Sequence, residues 1–336
     1  MRVWRGVITA VVVAGLAACG SAGQGGGGAS SGTVAAAEQS VRFTVDGTIT
    51  YGTLDVPAHR RGQRLAAALL LAGSGPTDRN GDQPPGLEPH TLQLVAGVLG
   101  RMGIMTLRFD KYLSGQTGAG AFTGHPSSID LAAFIKQADA AYAFLHGQPA
   151  AGGRRQAGRR AQRGRDVRAA GRRVGLAPPI TAATARQNGQ AVRRAIADFR
   201  AGRAVVTDGM LPAVVNLLTP ILLSEVSAAY VRSDARRVNR VVAARLPHGT
   251  RVLVTEGTAD QNVPPSTITP LVRALAAAGA TGPGLRLLSG VNHLLHPPGA
   301  ANDDQVLAAS VVTALQTWAR PYACARTTCP AIPGSR

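Results

Sequence analysis

Residues 251–296 read RVLVTEGTADQNVPPSTITPLVRALAAAGATGPGLRLLSGVNHLLH, and this stretch decides the fold. The apolar run 252–254 predicts a buried strand, a loop carrying Asp260 follows, and an amphipathic helix leads to a second strand over 285–288. In a parallel sheet both following loops leave the carboxyl ends of their strands, where open α/β sheets place their sites. The pattern therefore predicts that Asp260 and His293 lie side by side, as an acid that can orient a histidine base.

Strand and helix patterns also alternate in the N-terminal half of the chain. Two β-rich runs, 41–45 and 48–56, are separated by Asp46-Gly47, which is a strong hairpin signal. Further strands are predicted over 65–71 and 104–109, and helices over 87–100, 129–145, 180–199 and 303–318. We expect an α/β fold whose sheet is mostly parallel and carries helices on both faces.

The helix predicted over 129–145 has the clearest amphipathic pattern. Its apolar residues are spaced to share one face. They are Leu131, Phe134, Ile135, Ala138, Tyr142 and Leu145.

The first residues predict an exported chain. Arg2 and Arg5 precede an apolar run over 7–16, which is too short to span a bilayer and is typical of a secretory signal. The run ends in Leu-Ala-Ala-Cys, which resembles the bacterial lipobox and implies lipidation of Cys19. An ordinary cleavable signal with an incidental cysteine is the alternative. The chain is then expected in the bacterial cell envelope, anchored to a membrane surface.

Composition divides the chain into segments. We expect a signal peptide over 1–18, a flexible Gly/Ser-rich tether over 19–38 and one main domain over 39–323. Within that domain, 147–175 is an exposed basic segment and 180–235 is a helical cap or a set of ordinary core helices. Residues 324–336 form a tail. Its Cys324 and Cys329 permit a small disulfide, although an unpaired or metal-bound pair stays open.

The formal net charge of +18 is concentrated in one place. Between Arg154 and Arg173 there are nine Arg and one Asp, so this short segment alone supplies +8. No nucleic-acid recognition motif accompanies the charge, and nucleic acid is therefore not an expected partner. No cofactor and no metal site are expected either.

Several motifs resemble those of bacterial α/β-hydrolases, in the group of exported serine hydrolases related to dienelactone hydrolase and prolyl-oligopeptidase-like esterases. Residues 69–82, LLLAGSGPTDRNGD, are similar to the strand and oxyanion loop of that group, and 107–111, LRFDK, to its next strand end. The segments around Asp260 and His293 match its acid and histidine loops. The turn after Lys111 departs from the family pattern.

The resemblance implies acyl transfer with a small-molecule ester as substrate. His293 would be the base and Asp260 the acid that orients it, while Gly73, Ser74 and Gly75 would supply part of the oxyanion hole. Simpler interpretations remain open. Asp260 can cap the helix that follows it, the glycines around Ser74 can form an ordinary turn, and His296 competes with His293.

The nucleophile expected from the resemblance is missing. Between Ile129 and Leu223 the chain has no serine and no cysteine, although the family's Gly-x-Ser-x-Gly turn belongs there. Ser127 and Ser128 are better explained as helix N-caps. The basic segment over 147–175 also lacks the apolar run of a central strand.

Two explanations account for the missing nucleophile. The chain is an inactive relative, or the basic segment is a wrong-frame reading of GC-rich DNA; we favour the second as a hypothesis. The expected function is hydrolysis of ester or related acyl bonds, with impaired activity. The alternative is a non-catalytic lipoprotein whose basic loop contacts anionic lipid or cell-wall polymer.

Overall fold

A computed structural model describes residues 12–14, 32–73, 75–151, 182–212, 214–216, 227–230, 248–260, 263 and 265–323. Four of the predicted site residues lie outside these ranges, namely Cys19, Ser74, Cys324 and Cys329. So do most of the predicted signal peptide and all of the basic segment beyond residue 151.

The N-terminal half forms a five-stranded mixed sheet. Its strands are β1 (Val12–Ala14), β3 (Ala37–Val45), β4 (Thr48–Val56), β6 (Ala67–Leu71) and β7 (Met105–Phe109), in the order β1-β6-β7-β4-β3. Two short strands, β2 (Thr33–Val34) and β5 (His59–Arg60), pair separately. Strands β2 and β3 begin within the range assigned to the tether, and β1 lies within the predicted signal.

The predicted hairpin is present as β3 and β4. The two strands pair antiparallel from Ala37↔Val56 to Val45↔Thr48. Asp46 and Gly47 both have positive φ, 45° and 77°, as a tight two-residue turn requires. The residue pair that predicted the hairpin therefore also supplies its turn geometry.

Strand β6 explains why 65–71 is apolar without interruption. It pairs parallel with β7 on one edge, and its alternate residues point into two different cores. Ala66, Ala68 and Leu70 join one core, whereas Leu65, Ala67 and Leu69 join the other. A strand buried on both faces has no polar position.

The two cores are covered by different helices. The first core packs on α1 (Thr91–Arg101) and on α5 (Ala309–Ala319), and the second packs on α2 (Leu131–His146). A third, smaller cluster forms around α3 (Ala182–Arg200). Helices therefore lie on both faces of the sheet, and the predicted α/β class is confirmed.

The C-terminal half contributes the parallel pair β8 (Arg251–Gly257) and β9 (Thr281–Leu288), joined by α4 (Pro265–Ala277). Among the described strands this pair is a separate two-stranded sheet. Its residues Leu253 and Leu288 nonetheless pack into the first core, so both halves share one apolar interior.

The described strand pairings differ from the expected mostly parallel sheet. Among the described pairs only β6–β7 and β8–β9 are parallel. Three of the four pairs in the larger sheet are antiparallel, because β1 joins β6 in that sense and the β3–β4 hairpin pairs antiparallel within itself and with β7.

Two helices begin at least four residues later than predicted. Helix α1 begins at Thr91 rather than 87, because Pro89 and a left-handed His90 (φ 52°) precede it. Helix α5 begins at Ala309 rather than 303. The acids of the preceding loop explain this, since Asp303 accepts from the Glu88 N–H and Asp304 from the Ala301 N–H.

The buried face of α2 also differs from the prediction. Tyr142 is exposed, while Gln137 is fully buried. The Gln137 side chain donates to Thr50 Oγ1 at 2.9 Å and accepts from the Tyr112 N–H at 3.0 Å. Because these hydrogen bonds satisfy its amide, the buried face of α2 includes Gln137. Ser127 and Ser128 do not cap this helix either. Its N-cap is Asp130, which accepts from the Ala133 N–H.

None of the described helices has the length and apolar character needed to cross a membrane.

Candidate active site

The structure brings Asp260 and His293 into direct contact. Asp260 lies three residues beyond β8 and His293 five residues beyond β9, at the carboxyl ends of two adjacent parallel strands. His293 Nδ1 lies 2.8 Å from Asp260 Oδ2, and each side chain is 9% exposed. A carboxylate at this distance fixes the orientation of the imidazole, and it stabilises the ring when the ring takes up a proton.

The two oxygens of Asp260 have separate tasks. Oδ1 accepts from the Val263 N–H at 2.9 Å. Oδ2 contacts His293. Val263 precedes Pro265, the first residue of α4, so this hydrogen bond is not the helix cap that the sequence left open.

Backbone hydrogen bonds interlock the loops that carry the pair. The Thr258 N–H donates to the Leu288 carbonyl at 3.0 Å, and the Ala259 N–H donates to the Val291 carbonyl at 3.1 Å. Gly257 makes this approach possible, because a Cβ there would overlap the backbone carbonyl of Val291. The relative position of acid and histidine is thus set by main-chain geometry.

His296 has a different role from His293. Its side chain is completely buried, and its Nδ1–H donates to the Ala301 carbonyl at 3.0 Å. Burial lowers its pKa. Asn292 Oδ1 accepts from the N–H groups of Leu294 and His296 and so closes the loop between them. The geometry therefore pairs Asp260 with His293, while His296 belongs to the interior of the loop.

The predicted oxyanion loop follows β6. Gly73 is buried, and Gly75 has a left-handed φ of 79°. Asp78 shapes the next turn, since its Oδ1 accepts from three successive N–H groups, those of Asn80, Gly81 and Asp82. Ser74 is outside the described residues, so only the two glycines of this prediction have a described position.

A chain of contacts connects this loop to the histidine loop. Gln83 Nε2 donates to Thr77 Oγ1 at 2.6 Å. Its neighbour Asp82 accepts from the His90 N–H at 2.8 Å, and Thr91 Oγ1 donates to the Leu294 carbonyl at 3.4 Å. The loop after β6 that carries Gly73 and Gly75, called the glycine loop below, and the loop that carries His293 therefore meet at the N-terminus of α1.

Three polar groups near these loops were missed from the sequence. Asp82 and His90 form a second acid–histidine contact, with 2.8 Å between Oδ2 and Nδ1, and burial raises the pKa of Asp82. Glu256 lies near the end of β8 and is 5% exposed. Burial, together with the charge of Asp260, raises its pKa to about 7. An acid near the end of an apolar strand was the only sequence signal for Glu256, and none pointed to Asp82–His90.

Two of the described serines, one of which was predicted as a helix N-cap, donate to nearby backbone carbonyls. Ser114 Oγ donates to the Lys111 carbonyl, and Ser128 Oγ donates to the His125 carbonyl. In the ranges that the model describes, no group of three or more His, Cys, Asp or Glu side chains is arranged to hold a metal ion.

Comparison with known proteins gives matches among solved structures. No family model matches the chain, and no curated protein matches it. One matching structure is Est1E from Butyrivibrio proteoclasticus, solved with ferulic acid; it is 14% identical, the match covers 84% of this chain and 98% of that one, and the TM-score is 0.47.

Two further matches are of the same kind. XC6422 from Xanthomonas campestris, an α/β serine hydrolase without a lid, is 13% identical over 86% of this chain and 96% of that one, with a TM-score of 0.38. A cold-adapted esterase from an Arctic intertidal metagenomic library is 14% identical over 84% and 95%, with a TM-score of 0.32. XC6422 is described as an α/β serine hydrolase and the Arctic protein as an esterase.

Proposed function

We propose that this chain is a hydrolase of ester or related acyl bonds in which His293 is the general base and Asp260 orients it. One observation carries the proposal: the 2.8 Å contact between the two side chains at the carboxyl ends of β8 and β9. An imidazole whose Nδ1–H donates to a carboxylate keeps its lone pair on Nε2. Nε2 is then the atom that removes a proton from the attacking group.

The glycine loop supplies the second requirement of acyl transfer. Charge develops on the carbonyl oxygen of the substrate as the attacking group adds, and backbone N–H groups stabilise that charge. Gly75 has the left-handed conformation of a tight turn and lies in the loop that reaches the histidine loop through Thr91. We assign the Gly75 N–H as one donor to the developing oxyanion.

The proposed activity is impaired because of the missing nucleophile. The segment from Ile129 to Leu223 has no serine or cysteine. A serine-hydrolase triad that loses its serine retains a rate roughly 10³- to 10⁴-fold above water, which comes from binding and the oxyanion hole. His293 would then act on a water molecule directly.

The proposal also covers location and substrate. The chain would be exported, held to a membrane surface through lipidated Cys19, and would act on small-molecule esters. The missing serine favours a second candidate, a non-catalytic protein that binds a ligand in the same cleft and contacts anionic lipid or cell-wall polymer through its basic segment.

A chromogenic short-chain ester separates these candidates. We expect slow turnover by the purified protein and a loss of roughly 10²-fold in His293→Ala, because general-base catalysis contributes at least that much. His146→Ala is the matched control, since His146 is exposed at the end of α2, and its rate should equal that of the unmodified protein.

A fluorophosphonate probe tests the missing nucleophile. The probe forms a covalent bond with activated serines, so we expect no labelling. Labelling at a serine would show that a nucleophile is present and would overturn the proposed impairment. Turnover that is equal in His293→Ala and in the unmodified protein would overturn the assignment of the base.

A further inference from the structure

Lys111 connects the ends of two neighbouring parallel strands. It lies two residues beyond the end of β7, and its side chain reaches the loop after β6. The ammonium donates to the carbonyl oxygens of Gly75 and Thr77, the latter at 3.0 Å. One side chain therefore contacts the glycine loop on both sides of Pro76.

The acids near Lys111 are engaged by other donors. Asp110 accepts from the N–H groups of Arg79 and Gln116, both at 2.9 Å, and forms an ion pair with the Arg79 guanidinium at 3.0 Å. Asp78 accepts from the backbone of the turn that follows it. Within the part of the chain that the model describes, Lys111 has no ion pair, and carbonyl groups hold it in place.

The other lysine has the opposite surroundings. Lys136 pairs with Asp46 at 3.0 Å on the surface, and its side chain is 65% exposed. Burial lowers the pKa of Lys111 to about 7, against the favourable charges of Asp78 and Asp110. A half-buried cation whose two hydrogen bonds both go to carbonyl groups of one loop points to a specific task for Lys111.

The task follows from the geometry of Gly75. Its φ of 79° belongs to a region that residues other than glycine rarely adopt. Because glycine changes its backbone conformation more readily than other residues, hydrogen bonds that hold the Gly75 carbonyl limit how far the adjoining N–H group can turn. Gln83 packs against the same glycine, since a Cβ there would lie 3.1 Å from Gln83 Nε2.

We propose that Lys111 is a positioning residue of the active site, which holds the carbonyls of Gly75 and Thr77 so that the Gly75 N–H faces the substrate carbonyl. The catalytic part of this inference rests on the function proposed above. The conformational part is independent of it, because the two hydrogen bonds set the loop whether or not an ester is hydrolysed.

The conformational part can be tested without any activity measurement. Lys111 and Lys136 are the only lysines, so lysine labelled with ¹³C at Cε gives two side-chain NMR signals. We expect the Lys111 signal to titrate near pH 7. Lys136→Met should remove the other signal alone and so identifies it. A Lys111 signal that titrates near the free value of about 10.4 would overturn the carbonyl-bound state of this side chain.

Amide hydrogen exchange then tests the effect on the loop. In Lys111→Met we expect exchange in peptides covering 75–83 to rise about 10-fold or more, because the loop opens more often. In Lys136→Met the exchange should stay unchanged. Unchanged exchange in Lys111→Met would overturn the proposal, provided that the melting temperature shows the variant to be folded.

Ester kinetics test the catalytic part. Lys111→Met should lower kcat roughly 10²-fold, as expected for a misplaced donor, and change KM less than about twofold. Lys111→Arg keeps a cation and should recover part of kcat. An active unmodified protein with the same kcat as Lys111→Met would contradict the role of Lys111. An inactive unmodified protein would instead count against the proposed function.

Discussion

The sheet around β6 and β7 and the pair β8–β9 are built differently. All five residues of β7 and four of the five in β6 are buried, whereas the first five residues of β8 are only half-buried. Strand β7 pairs with β4 and β6 on its two edges. Among the described pairings, β8 has one partner, β9. The acid and the histidine are therefore carried by the less buried region.

This difference shows how the Asp260–His293 geometry is maintained without a deeply buried strand. The hydrogen bonds from Thr258 and Ala259 join the two loops directly. Arg251 and Trp318 tie the start of β8 to α5, since Arg251 Nε donates to the Trp318 carbonyl and Trp318 Nε1 donates to the Arg251 carbonyl. Hydrogen bonds between the two loops therefore hold the Asp260–His293 geometry, and burial of strand β8 contributes less.

The largest expected effect concerns matched leucines in the two regions. Leu107→Ala in β7 should lower the free energy of unfolding by about 3 kcal/mol, because Leu107 is fully buried in the second core. Leu253→Ala in β8 should cost about 1 kcal/mol, since its side chain is half-buried. Urea denaturation measures both values. Equal losses of unfolding free energy in the two variants would show that Leu253 in β8 is as well buried as Leu107 in β7, and would contradict the difference between the two regions.

The next effect concerns pH and Glu256. Its pKa is raised from 4.5 to about 7 in the folded chain, so the unfolded chain releases this proton more readily. The stability that protonated Glu256 contributes is present below pH 4.5 and is lost as the pH rises through about 7. Glu256→Gln has no carboxyl group to ionise at this position, so its stability does not fall for this reason as the pH rises.

We therefore expect Glu256→Gln to gain stability relative to the unmodified protein between pH 4.5 and about 7, by roughly 1–3 kcal/mol. Urea denaturation at several pH values gives the difference between the two proteins, in which the other titrating groups largely cancel. A stability difference between the two proteins that stays constant with pH would mean that the pKa of Glu256 is not raised in the folded chain.

The smallest expected effect is the backbone strain caused by alanine at a glycine with positive φ, and it should be equal in the two regions. Gly47 in the hairpin and Gly249 before β8 both have positive φ, 77° and 80°, and a Cβ at either position would meet nothing within 4 Å. Alanine at each should cost about 1 kcal/mol of backbone strain. Gly124→Ala is the control, since that position is open and needs no positive φ. Unequal costs would show that the regions differ in backbone rigidity as well as in burial.

Much of the fold was predictable because the signals were local. Asp46-Gly47 carries the turn of the hairpin in its own φ preferences, and the run over 65–71 is apolar because both faces of β6 are covered. The contact between Asp260 and His293 was predictable because loops after adjacent parallel strands meet at one edge. Each of these predictions needed only a short segment and a general rule.

The remaining features depend on partners that are distant in sequence. Gln137 is buried because Thr50 and Tyr112 satisfy its amide, and nothing in its own helix indicates them. Lys111 finds its carbonyl partners more than thirty residues earlier. The late start of α5 follows from acids used by a loop contact with Glu88. Hydrogen bonds of this kind appear only once the chain has folded.

Gly257 gives the site a consequence for sequence variation. Any side chain there would meet the Val291 carbonyl, whereas the following residues Thr258 and Ala259 are exposed. In a library that samples every amino acid at each of these three positions, selection for the folded chain should leave 257 as glycine alone and should leave 259 diverse. Gly257 is thus the position in this loop that tolerates no side chain, whereas its exposed neighbour can change without disturbing the backbone contact with Val291.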